Sequence, residues 1–206
     1  MPSLLNPLFL PLIRSLPVAE HSFEVDAAFW QPKFTAANQA ALWGVIFAGM
    51  PSTRISRNRL LTFAYPTPEQ KCAEILLWGY PSDQRGRVSQ LLPNLAQVTA
   101  AANTPIAWPN YFAQFNPIPG IGISTVTKLA YFHGLTFQTH PALILDMQLI
   151  TNVQRWNQVQ MPRLNYNNAP HQYIAYLQTM RNAALQVGCT EEQMELFLFT
   201  FGDTLG

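Results

Sequence analysis

Apolar positions along the chain recur mainly at helical spacing, and turn-forming residues mark where each run stops. Thr35 to Met50 is alanine-rich and closes at Gly49-Met50-Pro51. Thr67-Pro68-Glu69-Gln70 supplies an N-cap, a proline at the first helical position and a polar first turn, which predicts a helix to about Trp78. Further helices are predicted over Val88–Ala102, from Pro105 and Pro109 through Phe115, and near Met147–Trp156, His171–Val187 and Glu191–Phe201. Between them, Trp78 to Arg87 combines Gly79, Pro81 and Gly86 with two aromatics and two arginines and reads as an exposed loop. Alternating β-branched runs are few and no Asn-Gly or Asp-Gly turn occurs, so the pattern is all-α.

Composition narrows the class. With 206 residues, 49% hydrophobic and 11% charged, the chain can fill one sizeable core or two small ones sharing a cleft, and it is no solvated or disordered segment. No long linker divides it, so residues 1–206 are expected to form a single unit. Cys72 and Cys189 stand too far apart for a redox pair and are too few for a four-cysteine metal site, so both are expected as buried thiols in a reducing cytoplasm. His21, His133, His140 and His171 show no metal-ligand spacing, and no metal is assigned. Pro2, Pro7 and Pro11 interrupt the apolar start and Arg14 follows it rather than leading it, which argues against a cleaved leader. No apolar run approaches the ~18 residues of a membrane span, so no membrane partner is expected.

The net charge of +1 hides an uneven layout. Residues 31–190 carry eleven bases against four acids, while residues 191–206 carry four acids and no base. A basic middle suits a polyanion, nucleic acid above all, with Arg85 and Arg87 and the cluster Arg54, Arg57 and Arg59 as candidate phosphate contacts. From Gln84 through Cys189 there is one acid, Asp146, directly after the apolar run Ala142-Leu143-Ile144-Leu145. Burying an unpaired carboxylate is costly, so Asp146 either caps the next helix or is held for chemistry.

The most informative stretch is Pro117-Ile118-Pro119-Gly120-Ile121-Gly122-Ile123-Ser124-Thr125-Val126-Thr127-Lys128-Leu129. A helix ends in proline, the chain turns through two glycines around an apolar plug, Ile121, and a second helix starts at once. Gly120 and Gly122 permit positive φ and close backbone approach. The first amides of the second helix then point outward, ready for a phosphate oxygen.

This run resembles the helix-hairpin-helix of the DNA glycosylase superfamily, here spanning about residues 109–134. In that superfamily a catalytic aspartate follows the second hairpin glycine after an apolar stretch, and Asp146 lies 24 residues after Gly122. The stretch from Thr127 to Asp146 is also similar to bacterial 8-oxoguanine DNA glycosylase-like proteins. The resemblance implies two helical lobes around a cleft and, as partner, double-stranded DNA carrying a damaged or modified base. It implies DNA contacts at Pro119, Gly120, Ile121, Gly122, Ser124 and Thr125, and catalysis by Asp146.

Bifunctional members carry a Schiff-base lysine two residues after the second glycine, where this chain has Ser124. A monofunctional enzyme is therefore expected. Lys128, one turn on and on the same face, is a second catalytic candidate through pairing with Asp146 or through its amine. Trp78 and Tyr80 are candidates for stacking on the extruded base. No cofactor is required, although a structural monovalent cation at the hairpin carbonyls is possible by resemblance, and a cytoplasmic monomer is expected. The competing classes are a non-catalytic helix-hairpin-helix DNA-binding module, in which Asp146 only caps a helix, and an inactive interaction protein.

Overall fold

The computed structural model describes residues 7–34, 37–81, 88–155 and 163–204. The first part of the chain holds α1 (Leu10–Ser15), β1 (Ser22–Asp26), α2 (Ala27–Trp30), α3 (Ala37–Phe47), β2 (Ser52–Ser56) and α4 (Arg57–Thr62). Next come α5 (Pro68–Gly79), α6 (Val88–Leu91), α7 (Leu95–Ala102), α8 (Asn110–Ala113) and α9 (Ile123–Phe132). The remainder is β3 (Thr136–Phe137), β4 (His140–Pro141), α10 (Met147–Arg155), α11 (Ala169–Val187) and α12 (Glu191–Phe201). Helices dominate, as the periodicity predicts.

Local chemistry sets many of the ends. Thr67 accepts the Gln70 amide with Pro68 at the first position of α5, and Thr190 forms a reciprocal capping box with Gln193 on α12. Three helical spans differ from expectation, and the first is α8, which ends at Ala113, short of Phe115 and of the hairpin proline. α3 stops at Phe47 because Ala48 and Gly49 take positive φ, 48° and 77°. The helix predicted over 88–102 breaks into α6, a 3-10 turn at Leu92–Asn94 and α7, because Pro93 has no amide hydrogen to continue the ladder.

The all-α pattern also gains a small antiparallel pair, with Ser22 opposite Ser56 and Asp26 opposite Ser52. Helices α2 and α3 lie between the two strands in sequence, so no tight turn announces the pairing. A second pair, β3 with β4, is two residues long.

Among the described residues one apolar cluster runs from Ile13 to Leu198. Helix α9 lies deep within it, buried at nine positions from Ile123 to Phe132, and packs against α5, α7 and α4. α12 packs on α10 and α11 and so closes the far side. No helix is long and apolar enough to cross a membrane among the described residues. Cys72 is buried, with its thiol pushed up to about 11 by desolvation, whereas Cys189 is only half-buried, short of the burial expected for both.

The basic cluster needs a correction. Arg57 is 1% exposed and bonds Glu195 at 2.7 Å, and Arg59 grips Glu74 through two bonds of 2.7 and 2.8 Å. Only Arg54 of the three is exposed, and it donates to Ser22. Part of the basic surplus of the middle segment therefore neutralises internal carboxylates, including one from the acidic end.

Candidate active site

The hairpin joins α8 to α9. Gly120 takes φ +81°, a left-handed turn that suits glycine, and the Ile121 amide bonds back to the Ile118 carbonyl at 3.4 Å. Gly122 is different: its φ of −145° is open to any residue, so positive φ is not its reason. A Cβ there would overlap the Tyr166 hydroxyl, so Gly122 answers to close approach. Gly122→Ala should therefore destabilise the protein by about 1–3 kcal/mol in urea unfolding, and by much less in a Tyr166→Ala background. Equal losses in both backgrounds would show that the hydroxyl is not the obstacle.

Pro119 is exposed at the turn, while Gly120, Ile121, Gly122 and Ser124 are half-buried. As the leading amides of α9, those of Ile123 and Ser124 precede the first intrahelical bonds, whereas the Thr125 amide reaches back to the Gly122 carbonyl. Thr125 turns its hydroxyl inward onto the Tyr80 hydroxyl, 2.6 Å away. Arg85 and Arg87 lie outside the described residues, as does Trp156.

Lys128 and Asp146 come together. The Lys128 ammonium donates to Ser124 Oγ at 2.7 Å, which bears out the shared face, and stands 3.9 Å from Asp146 Oδ2. Its stem lies against Gly79, where a Cβ would meet Lys128 Cδ at 2.8 Å. Asp146 serves two directions at once. Oδ1 accepts the Leu149 amide at 2.9 Å and caps α10, while the side chain stays 17% exposed and lines a cavity shared with Lys128.

The run 142–145 that delivers Asp146 has little ladder of its own, and side chains from three helices satisfy its backbone. The Tyr173 hydroxyl bonds both the amide and the carbonyl of Leu143, and Tyr176 donates to the Ile144 carbonyl. Glu195 Oε2 accepts the Ile144 amide at 2.8 Å, and Thr127 Oγ1 accepts the Leu145 amide at 3.0 Å. Buried amides and carbonyls need such partners, so the approach to Asp146 is held rigidly.

The cavity is narrow, about 40 Å³, which leaves room for about three water molecules. Its aromatic wall is His21, Phe23, Trp78 and Phe199, and its charged wall is Arg57, Glu195, Lys128 and Asp146. Trp78 is 3% exposed at the end of α5, not on an exposed loop as the glycines beside it predict, and Phe23, His21 and Phe132 meet it edge-on. Tyr80 is half-buried, with the Lys128 ammonium 5.4 Å from its ring centre. Burial pushes the Glu195 carboxyl up, with the Arg57 guanidinium pulling the other way.

His21 Nδ1 accepts from Arg57 Nε at 3.2 Å, and burial with that neighbouring charge holds its pKa down at about 4. His133 is likewise held at about 4, by burial and then by Lys71. Both rings fold neutral but protonate near 6.5 once unfolded, so the unfolded chain binds more protons between those values. Stability contributed by the neutral rings is complete above about pH 6.5 and should fall as pH drops toward 4. Urea titrations of the protein and of His21→Gln should show the variant losing less over that window; parallel losses would contradict the assignment.

Glu195, Phe23 and Phe199 line the cavity without being singled out in the sequence, and His21 is named there only as lacking metal-ligand spacing. Arg57 stands in the cavity wall rather than at the surface expected of a phosphate contact. For Glu195 a signal exists: it is the lone acid within the apolar run Met194 to Phe199, the pattern that singles out Asp146.

The fold is mostly helical, and in its cavity an aspartate and a lysine meet, the lysine carried by the second helix of the hairpin. Compared with known families, residues 16–199 match the one described as "Putative 8-oxoguanine DNA glycosylase OGG-like protein", and the chain belongs to that family. Comparison with curated proteins and with solved structures finds no match.

Proposed function

We propose that this chain is a monofunctional DNA N-glycosylase that removes a damaged or modified base from double-stranded DNA. The observation that carries this reading is Asp146, whose one carboxylate is anchored on the Leu149 amide and lies beside Lys128 in a cavity next to the hairpin helix. In this reading the leading amides of α9 hold a backbone phosphate, with Arg85 and Arg87 as further contacts, and the target nucleotide leaves the stack. The base enters by widening the cavity, with Trp78 in its wall and Tyr80 alongside. The C1′–N bond breaks, its electron pair departs with the base, and positive charge grows on the sugar opposite the Asp146 carboxylate. Water adds at C1′ and gives up its proton to that carboxylate.

No step requires a cofactor. A monovalent cation at the hairpin would have to share carbonyls already in use, since that of Ile118 accepts the Ile121 amide and that of Gly122 accepts the Thr125 and Val126 amides. The enzyme would act as a cytoplasmic monomer, in repair or against modified foreign DNA.

Mass spectrometry of bases freed from diverse genomic DNAs, viral ones included, tests the reading and identifies the base. Salt-sensitive DNA binding without base release would mark a non-catalytic module, and absence of binding an interaction protein. A second reading starts from the 3.9 Å between Lys128 and Asp146. The carboxylate takes a proton from the ammonium, the freed amine adds at C1′ as the base leaves with the C1′–N electron pair, and cleavage of C1′–O4′ leaves an imine with the opened sugar. Borohydride should trap no covalent DNA complex; a trapped complex that disappears in Lys128→Ala would establish the lyase.

A further inference from the structure

The four side chains that hold the backbone ahead of Asp146 are not alike. Tyr173, Tyr176 and Thr127 do it with neutral hydroxyls, whereas Glu195 places a carboxylate at a position with no exposure to water. A neutral acceptor would satisfy the Ile144 amide without the desolvation that burial of a carboxylate entails. Glu195 has two jobs on its two oxygens: Oε2 accepts from Ile144 at 2.8 Å and Oε1 accepts from Arg57 at 2.7 Å. Arg57 in turn donates to His21, and its guanidinium lies between the rings of Trp78 and Tyr131, 5.5 and 5.2 Å from their centres. A single carboxylate thus joins α12, the start of α4 and the run that ends at Asp146.

We propose that Glu195 is the positioning residue for Asp146, fixing the Ile144 amide and with it the direction of the carboxylate two residues on. This rests on the glycosylase reading only for its effect on rate; the geometric relay stands by itself. Arg57 opposes the upward pull of burial on the Glu195 carboxyl and, by holding Oε1, leaves Oε2 turned toward Ile144. When the Ile144 bond is lost, the run up to Asp146 gains freedom, the cap on Leu149 loosens, and the second carboxylate oxygen no longer holds its place beside Lys128.

The test separates the accepting oxygen from the charge. Arg57→Met/Glu195→Gln and Arg57→Met/Glu195→Leu both lack the buried ion pair, but only the Gln variant keeps an oxygen for Ile144. Amide hydrogen exchange at Leu149, read by NMR, reports the Asp146 cap without any substrate. Protection of Leu149 should be lower in the Leu variant than in the Gln variant by on the order of tenfold. On whichever duplex the wild type processes, single-turnover base release should be on the order of tenfold slower in the Leu variant, with DNA affinity equal in the two. Equal Leu149 protection in both variants would overturn the proposal, as would a rate difference that merely follows affinity. A wild type that frees no base, combined with unequal protection, would remove the glycosylase reading and leave the relay in place. Should the Leu variant fail to fold, Glu195→Gln against Glu195→Met, each with Arg57→Met, repeats the comparison with a more flexible apolar chain.

Discussion

Asp146→Asn should lower single-turnover base release by on the order of 10²-fold or more while leaving DNA affinity within about threefold. Asparagine keeps the shape, and its side-chain carbonyl can still accept the Leu149 amide, so α10 stays capped. What disappears is the negative charge beside the cavity, and the Lys128 ammonium 3.9 Å away then faces the sugar without its counter-charge. On the proposed mechanism both changes raise the barrier to a cationic sugar, and neither touches the α9 amides proposed to hold the phosphate. Asp146→Ala should lose the cap as well, which adds about 0.5–2 kcal/mol of instability that the Asn variant does not show. Undiminished release by Asp146→Asn would reduce this residue to a cap.

Arg57→Met should have the largest effect on stability, a loss of about 3–5 kcal/mol in urea unfolding, because it strands a buried carboxylate at Glu195. Burial already pushes that carboxyl up and only Arg57 and the Ile144 amide oppose it. In the variant its folded pKa rises further above the unfolded value. A group raised in this way is stabilising while protonated and loses that contribution as pH climbs through its folded pKa. The deficit relative to wild type should therefore shrink on acidification. Adding Glu195→Gln should recover most of it at neutral pH, since removing both charges avoids an uncompensated ion. A deficit that ignores both pH and the second substitution would point to lost packing of the arginine stem instead.

These two residues show what could be read in advance. Asp146 stands out because it is an isolated acid after an apolar run, and the interval of 24 residues from Gly122 gains meaning only through the family resemblance. Glu195 carries the same mark, an acid within an apolar run, but it falls in a segment whose four acids read as a charged end. Arg57 reads as surface because two other arginines flank it at short spacing. Its partner is 138 residues away, and nothing in either neighbourhood announces the other. Gly122 shows the same limit from the opposite side: its importance is visible in the motif, but its reason is Tyr166, 44 residues on.

Most of the longer helices, the Thr67 cap of α5 and the glycine turn are legible in the sequence alone, because each depends on groups within about four residues of one another along the chain. By contrast α1, α2 and α4 are not read there, and Pro93 divides the span over 88–102. The assembled core decided which charges turn inward, which carboxylates share a cavity with an amine, and which two short strands pair. Those outcomes depend on what surrounds a side chain once distant segments have packed, and desolvation, unlike helical spacing, is a property of that packing.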